Sequence, residues 1–156
     1  MPSRRKLIEL TDDEIRDYLD AEKTLIIVSN GRNGYPHPMP MWFEQDRDGC
    51  LYCTTFGKSQ KVLNWRRDPK ATLLVESGEE YAELKGVMIY ARCEVIDDPE
   101  QVIDTLVAIN TDGEQSDAAQ RELRDSVARR AAKRVLLKFV PERYVSWDHA
   151  KLGGRY

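Results

Sequence analysis

The sequence predicts an α+β fold, mainly antiparallel, in which a β-barrel carries helices on its outside. Five or six short apolar runs, rich in β-branched residues, are separated by turn residues at hairpin-like spacing. Helical patterns stand only near the start, in the middle and late, whereas a parallel α/β sheet would place one after nearly every strand. The chain has 156 residues, 41% hydrophobic and 33% charged, enough for one domain over 1–156 with a proper core and too few for two.

The elements follow in order. "LTDDEIRDYL" opens a helix: Thr11 caps, Glu14 completes a capping box three residues on, and Leu10 can staple against Ile15. "TLIIVSN", 24–30, is a strand that ends in the turn "NGRNG". "YPHPMPMWFE" carries three prolines, which cannot donate to a ladder and confine the run to an edge or irregular strand. "QDRDG" turns the chain into the strand "CLYCTT". A short helix after it stops at "RDP", because proline disfavours helix in the residue before it. "KATLLVES" and "LKGVMIYARCEVI" form a hairpin through "GEEYAE". Asp98 and Pro99 start a helix whose Val102, Ile103, Leu106 and Val107 share a face. A polar linker, 111–117, leads to a helix through about residue 132, and "RVLLKFVPERYVSWDH" returns to strand.

Composition excludes several functions. A net charge of −3 argues against a nucleic-acid partner. The basic run Arg129, Arg130, Lys133 and Arg134 reads as the solvated end of a helix, where cations suit the dipole. No apolar run reaches the ~18 residues of a membrane span. "MPSRRKLIEL" has no long apolar segment of a secretory signal, and an odd count of three cysteines favours reduced thiols; both predict a cytoplasmic setting without a membrane partner. Cys50 and Cys53 are spaced like a metal or redox pair. In a strand, however, residues three apart face opposite ways, so these thiols read as core rather than as a metal site. His37 and His149 lack zinc-hydrolase spacing, and no dinucleotide fingerprint or nucleophile elbow is present. An enzyme here would borrow its reactivity from a cofactor.

The stretch "TTFGKSQKVLNWRRDP", 54–69, is the one concentration of chemistry. Ser59 can cap a helix whose free N–H groups favour negative charge, and Lys58 and Lys61 flank that turn. "GKS" is not a P-loop, since Tyr52 stands where that motif needs glycine. The residues leave two readings open, an anion site and an ordinary polar helix start.

The order of motifs resembles the pyridoxamine 5′-phosphate oxidase-like family of flavin- and deazaflavin-binding split barrels. The likeness rests on Gly34, Pro36, Pro40, Trp42 and Phe43, on Gly49, Thr54 and Thr55, and on Ser59, Lys61, Asn64, Asp68 and Pro69. The resemblance implies a homodimeric split β-barrel with flanking helices whose site lies between two subunits. It implies that Lys58, Ser59 and Lys61 hold the phosphate of FMN, or of the deazaflavin coenzyme F420, with Thr54 and Thr55 nearby. Met39, Pro40, Met41 and Trp42 would line the ring, largely through backbone, and Trp147 and Lys151 of "SWDHAKL" would approach the site.

The activity implied is an oxidoreductase that moves hydride between the ring and a small conjugated substrate; no side chain is identified as its catalytic acid. The ending "KLGGRY" lacks the arginine-bearing substrate segment of true pyridoxamine phosphate oxidases, which argues against vitamin B6 oxidation. Two other readings stand beside it. One is a non-catalytic carrier of flavin or haem. The other is a nucleic-acid-binding barrel using Lys58, Lys61, Trp65 and Arg66, against which the acidic balance weighs.

Overall fold

In the computed structural model, which describes residues 3–111 and 113–154, the N-terminal capping box forms as the sequence requires. After a short helix α1 (Arg4–Ile8), Thr11 accepts from the Glu14 amide and the Glu14 carboxylate accepts from the Thr11 amide, which starts α2 (Asp12–Ala21). The helix α1 has no counterpart in the sequence reading. The chain then runs β1 (Thr24–Asn30), β2 (Pro36–Trp42), the two-residue β3 (Glu44–Gln45) and β4 (Leu51–Phe56). Next come α3 (Gln60–Arg67), β5 (Lys70–Ser77), β6 (Lys85–Ile96), α4 (Pro99–Ile109), α5 (Asp117–Ala131) and β7 (Arg134–Asp148).

The strands make one curled antiparallel sheet in the order β2-β1-β5-β6-β7-β4-β3. This is the α+β split-barrel architecture, with β3 added to the six strands legible in the sequence. Alternation decides the faces: Leu25, Ile27, Leu73, Val75, Val87 and Ile89 point into the barrel and are essentially inaccessible. Outside β4 and β7, α4 and α5 enclose a second core around Val102, Leu106, Val127 and Leu136. Among the described residues no helix is long and apolar enough to cross a membrane.

Two proline arrangements shape this sheet. Pro36, Pro38 and Pro40 alternate along β2, so their missing N–H groups all fall on one side of the strand. The ladder to β1 therefore runs through His37, Met39 and Met41, opposite Ser29, Ile27 and Leu25, and the prolines take the open edge. Pro141 lies inside β7, where the register with β6 shifts between Tyr90 and Ala91. That bulge reverses the alternation: Val135, Leu137 and Phe139 face the core before it, and Ser146 faces inward after it.

Candidate functional site

The junction between β4 and α3 is packed tightly against the start of β7. The Gly57 amide donates to the Lys133 carbonyl at 2.9 Å, and a Cβ at Gly57 would lie 3.3 Å from Val135 Cγ1. Ser59 takes the N-cap position of α3 with extended backbone, and its carbonyl accepts from the Val62 amide at 3.1 Å. Its hydroxyl does not cap: Ser59 Oγ is buried and has no hydrogen-bond partner among the described residues. The sequence correctly placed the cap position, but the side chain is turned to something else.

Lys61 follows in the first turn and is only 7% exposed. Among the described residues it makes no hydrogen bond or ion pair; its electrostatic neighbours are the Cys53 thiol and Arg134. Burial holds its pKa below the usual lysine value; Cys53 works against that shift and Arg134 reinforces it. A buried ammonium with no carboxylate partner is costly, and the cost falls when an anion arrives.

Arg134 completes the group, and the sequence did not separate it from its basic neighbours. Arg129 and Arg130 do occupy the last turn of α5, as expected, but Arg134 begins β7 and lies half-buried on the outer face of the sheet. Its Nη1 donates to the carbonyl and hydroxyl of Thr54 at 3.3 and 3.4 Å, and its guanidinium lies 4.6 Å from the Phe56 ring centroid. Nε is buried without a partner. The one available signal was the pairing of Phe56 with Arg134, which requires knowing the strand order.

Beside Arg134 lies a cavity of about 340 Å³. Pro40, Met41 and Trp42 form one wall; Thr54, Arg130 and Arg134 form a cationic end. Leu106 and Ile109 of α4, with Asn110 just after it, line its outer side. Pro40 and Trp42 point outward, Trp42 being 60% exposed, while Met39 and Met41 are half-buried against the core.

The remaining expected residues divide. Thr55 lies beside Thr54 but faces the core, and Lys58 is exposed on the loop. Trp147 and Lys151 stand at the far end of β7, thirteen or more residues from Arg134, roughly 40 Å along an extended strand. Trp147 lies on Gly86, where a Cβ would approach its Cζ2 to 2.3 Å. Lys151 donates to the Glu9 carbonyl at 2.8 Å and pairs with Glu14 at 2.6 Å. The chain therefore gathers Pro40, Met41, Trp42 and Thr54 around one cavity, with Ser59 and Lys61 at the adjoining junction, and keeps Trp147 and Lys151 apart from them.

Other residues of the stretch are structural. Asn64 donates to Ser29 Oγ and accepts from Gln60 Nε2, both at 2.9 Å, a link between side chains rather than to backbone. Trp65 packs edge-on against Phe139. Cys53 and Cys93 belong to the main core, where burial raises their thiol pKa values. Cys50 precedes β4 instead of lying in it, its amide bonded to Asp46, so the alternation argument does not apply to the pair.

Known proteins share this fold. A conserved hypothetical protein from Mycobacterium tuberculosis, Rv2991, is 31% identical over 97% of this chain and 93% of that one, with a TM-score of 0.85. An F420 reductase superposes with a TM-score of 0.59 at 17% identity, covering 83% of this chain and 94% of its own. The haem storage protein HutZ from Vibrio cholerae gives 0.63 at 16% identity, covering 89% and 97%. At those identities the last two show the fold alone. A search of curated proteins finds no match. The family profile described as pyridoxamine 5′-phosphate oxidase matches residues 11–148, nearly the whole sheet and its helices, and the chain belongs to that family.

Proposed function

We propose that this protein is a flavin- or deazaflavin-dependent oxidoreductase that holds its cofactor by the phosphate at the β4–α3 junction. The observation that carries the reading is a pair of groups unsatisfied among the described residues: the buried Ser59 hydroxyl and the buried Lys61 ammonium. Hydroxyl and ammonium donors without protein acceptors fit a phosphate group, and the uncapped first turn of α3 adds the positive end of a helix.

Bound there, FMN or coenzyme F420 would supply hydride transfer to or from a small conjugated substrate. The chain's own residues then have separable tasks. Ser59 and Lys61 anchor the phosphate. Pro40 and Trp42 offer an apolar wall to a planar ring, and α4 restricts water through Leu106 and Ile109.

The protein is also proposed to work as a homodimer, in a cytoplasmic setting. The outer sheet face carries a half-exposed apolar row across five strands, Pro40, Ile26, Leu74, Met88 and Val145 in register. A second copy would cover it by twofold symmetry and bring Trp147, on the same face, toward a neighbouring cavity.

The test is titration of the purified protein with FMN, coenzyme F420 and riboflavin, followed by addition of a reductant and candidate acceptors. The expected result is binding of a phosphorylated ring cofactor, weakened in Ser59→Ala, with turnover of the bound ring. Tight binding without turnover would make the protein a carrier. Equal affinity of wild type and Ser59→Ala for every ligand would remove the phosphate site.

A further inference from the structure

Arg134 is held at Nη1 and on one face, while its Nε–Nη2 edge has no partner among the described residues. Nη1 is committed to Thr54, at 3.3 Å to the carbonyl and 3.4 Å to the hydroxyl. One face of the guanidinium is covered by the Phe56 ring at 4.6 Å. Nε is buried and has no acceptor, and among the described residues Nη2 donates to no protein group either. A guanidinium offers carboxylates and phosphates two bidentate edges, one made by Nη1 and Nη2, the other by Nε and Nη2. Thr54 occupies the first of these. The second is free.

Among the described residues no carboxylate answers this edge. The charged groups near Arg134 are Lys61 and Arg130, both cations, and burial together with Arg130 holds the Arg134 pKa below the usual arginine value. Arg134 also forms the cationic end of the cavity whose opposite wall is Pro40 and Trp42.

We propose that Arg134 is an oxyanion-binding residue that presents its Nε–Nη2 edge to the cofactor phosphate, with Thr54 and Phe56 as its positioning residues. This rests on the phosphate reading of the Ser59–Lys61 junction and adds to it a residue from the opposite strand. Clamping from β7 as well as α3 makes the site depend on the register of β4 against β7, so that it exists only in the assembled barrel.

The experiment combines a charge-preserving variant with a probe of the wild-type side chain. Arg134→Lys keeps the cation and removes the fork. It is expected to weaken FMN binding about tenfold or more while leaving riboflavin affinity unchanged, because only FMN carries the phosphate. In parallel, the Arg134 Nε–H resonance of the unaltered protein is followed by ¹⁵N NMR during titration with FMN and with inorganic phosphate. A shift of that resonance with either anion, absent with riboflavin, supports the assignment even if Arg134→Lys folds poorly. If FMN binds Arg134→Lys as tightly as wild type, or binds without moving the resonance, the proposal fails while the Ser59–Lys61 reading stands. If wild type binds no flavin or deazaflavin but inorganic phosphate moves Nε, the cofactor reading fails and the oxyanion site remains. No response to any anion overturns both.

Discussion

The two ends of β7 are built on opposite principles. At the Asp148 end nearly every polar group has a partner: Ser146 Oγ accepts from the Leu10 amide at 3.0 Å, Asp148 pairs with Lys85 at 3.5 Å, and Lys151 bridges to Glu14. His149 Nδ1 is 2.9 Å from the Tyr81 carbonyl. At the Arg134 end, among the described residues, Arg134 Nε and Ser59 Oγ are buried without partners and Lys61 is buried without a counter-ion. The satisfied end fastens the chain's late segment to its N-terminal helices. The unsatisfied end gives up stability, since a buried donor left unpaired costs about 1–3 kcal/mol, and it is there that the proposed phosphate would bind.

The largest expected effect tests that trade directly. Lys61→Met should weaken binding of the phosphorylated cofactor by about ten- to a hundredfold, as loss of one charge-assisted bond does. The cofactor-free protein should nevertheless become more stable to urea at neutral pH, because an unpaired buried cation is removed. The sign with pH follows. The folded-state pKa of Lys61 lies below the ordinary 10.5, so the unfolded chain binds the extra proton and wild-type stability gains as pH rises toward 10.5. The difference between wild type and variant should shrink over that alkaline interval; a constant difference would remove the unpaired cation from the explanation.

Next in size is Gly86→Ala at the other end. The new Cβ would sit 2.3 Å from Trp147 Cζ2, and overpacking of this kind costs about 1–3 kcal/mol. Chemical denaturation should show the loss together with a changed tryptophan emission, and the Arg134 resonance should stay in place. A displaced Arg134 signal would mean that the ends are mechanically coupled and the contrast is too simple.

A smaller effect belongs to Glu44 on β3, whose carboxyl is pushed up to about 7 by burial, with Asp46 and Asp104 adding repulsion. The folded state holds this proton more tightly than the unfolded chain, so stability should fall as pH rises from about 4.5 to about 7. Glu44→Gln should flatten that slope in urea midpoints without changing anion affinity. Altered affinity would show that frustration extends beyond the β4–α3 junction.

The smallest effect is at the Lys151–Glu14 bridge, which is largely exposed. Glu14 has its pKa lowered first by the hydrogen bond from Lys151 and then by the Thr11 amide. Its stabilisation is therefore full above the ordinary carboxylate pKa and is lost as pH falls through the lowered one. Lys151→Ala should reduce the acid-limb slope of stability slightly, measured as urea midpoints between neutral and acidic pH. An unchanged slope would leave the bridge without energetic weight.

The fold was legible because its signals are local. The capping box at Thr11, the alternation of "TLIIVSN", Asp98 with Pro99 and the stop at Asp68–Pro69 all appear within a few adjacent residues. The places of Ser59 and Lys61 at the start of α3 were legible for the same reason. The surroundings of Arg134 were not, because they depend on pairing with Phe56 nearly eighty positions earlier, and in sequence it merges with Arg129 and Arg130. The unsatisfied Ser59 hydroxyl was misread because a serine at an N-cap ordinarily bonds the helix. The bulge at Pro141 likewise hid which residues of β7 face inward, since it changes the parity on which alternation depends.

The prolines of β2 have a consequence for what can meet that strand. Between residues 36 and 40 its open edge offers three carbonyl acceptors and no donor. Another strand arriving there would find half of its hydrogen bonds unanswered, so the sheet cannot be extended by aggregation along this border. A small molecule bearing N–H groups meets no such deficit. The edge beside the cavity thus presents acceptors alone, a polarity that would suit a donor-bearing ring better than an incoming strand.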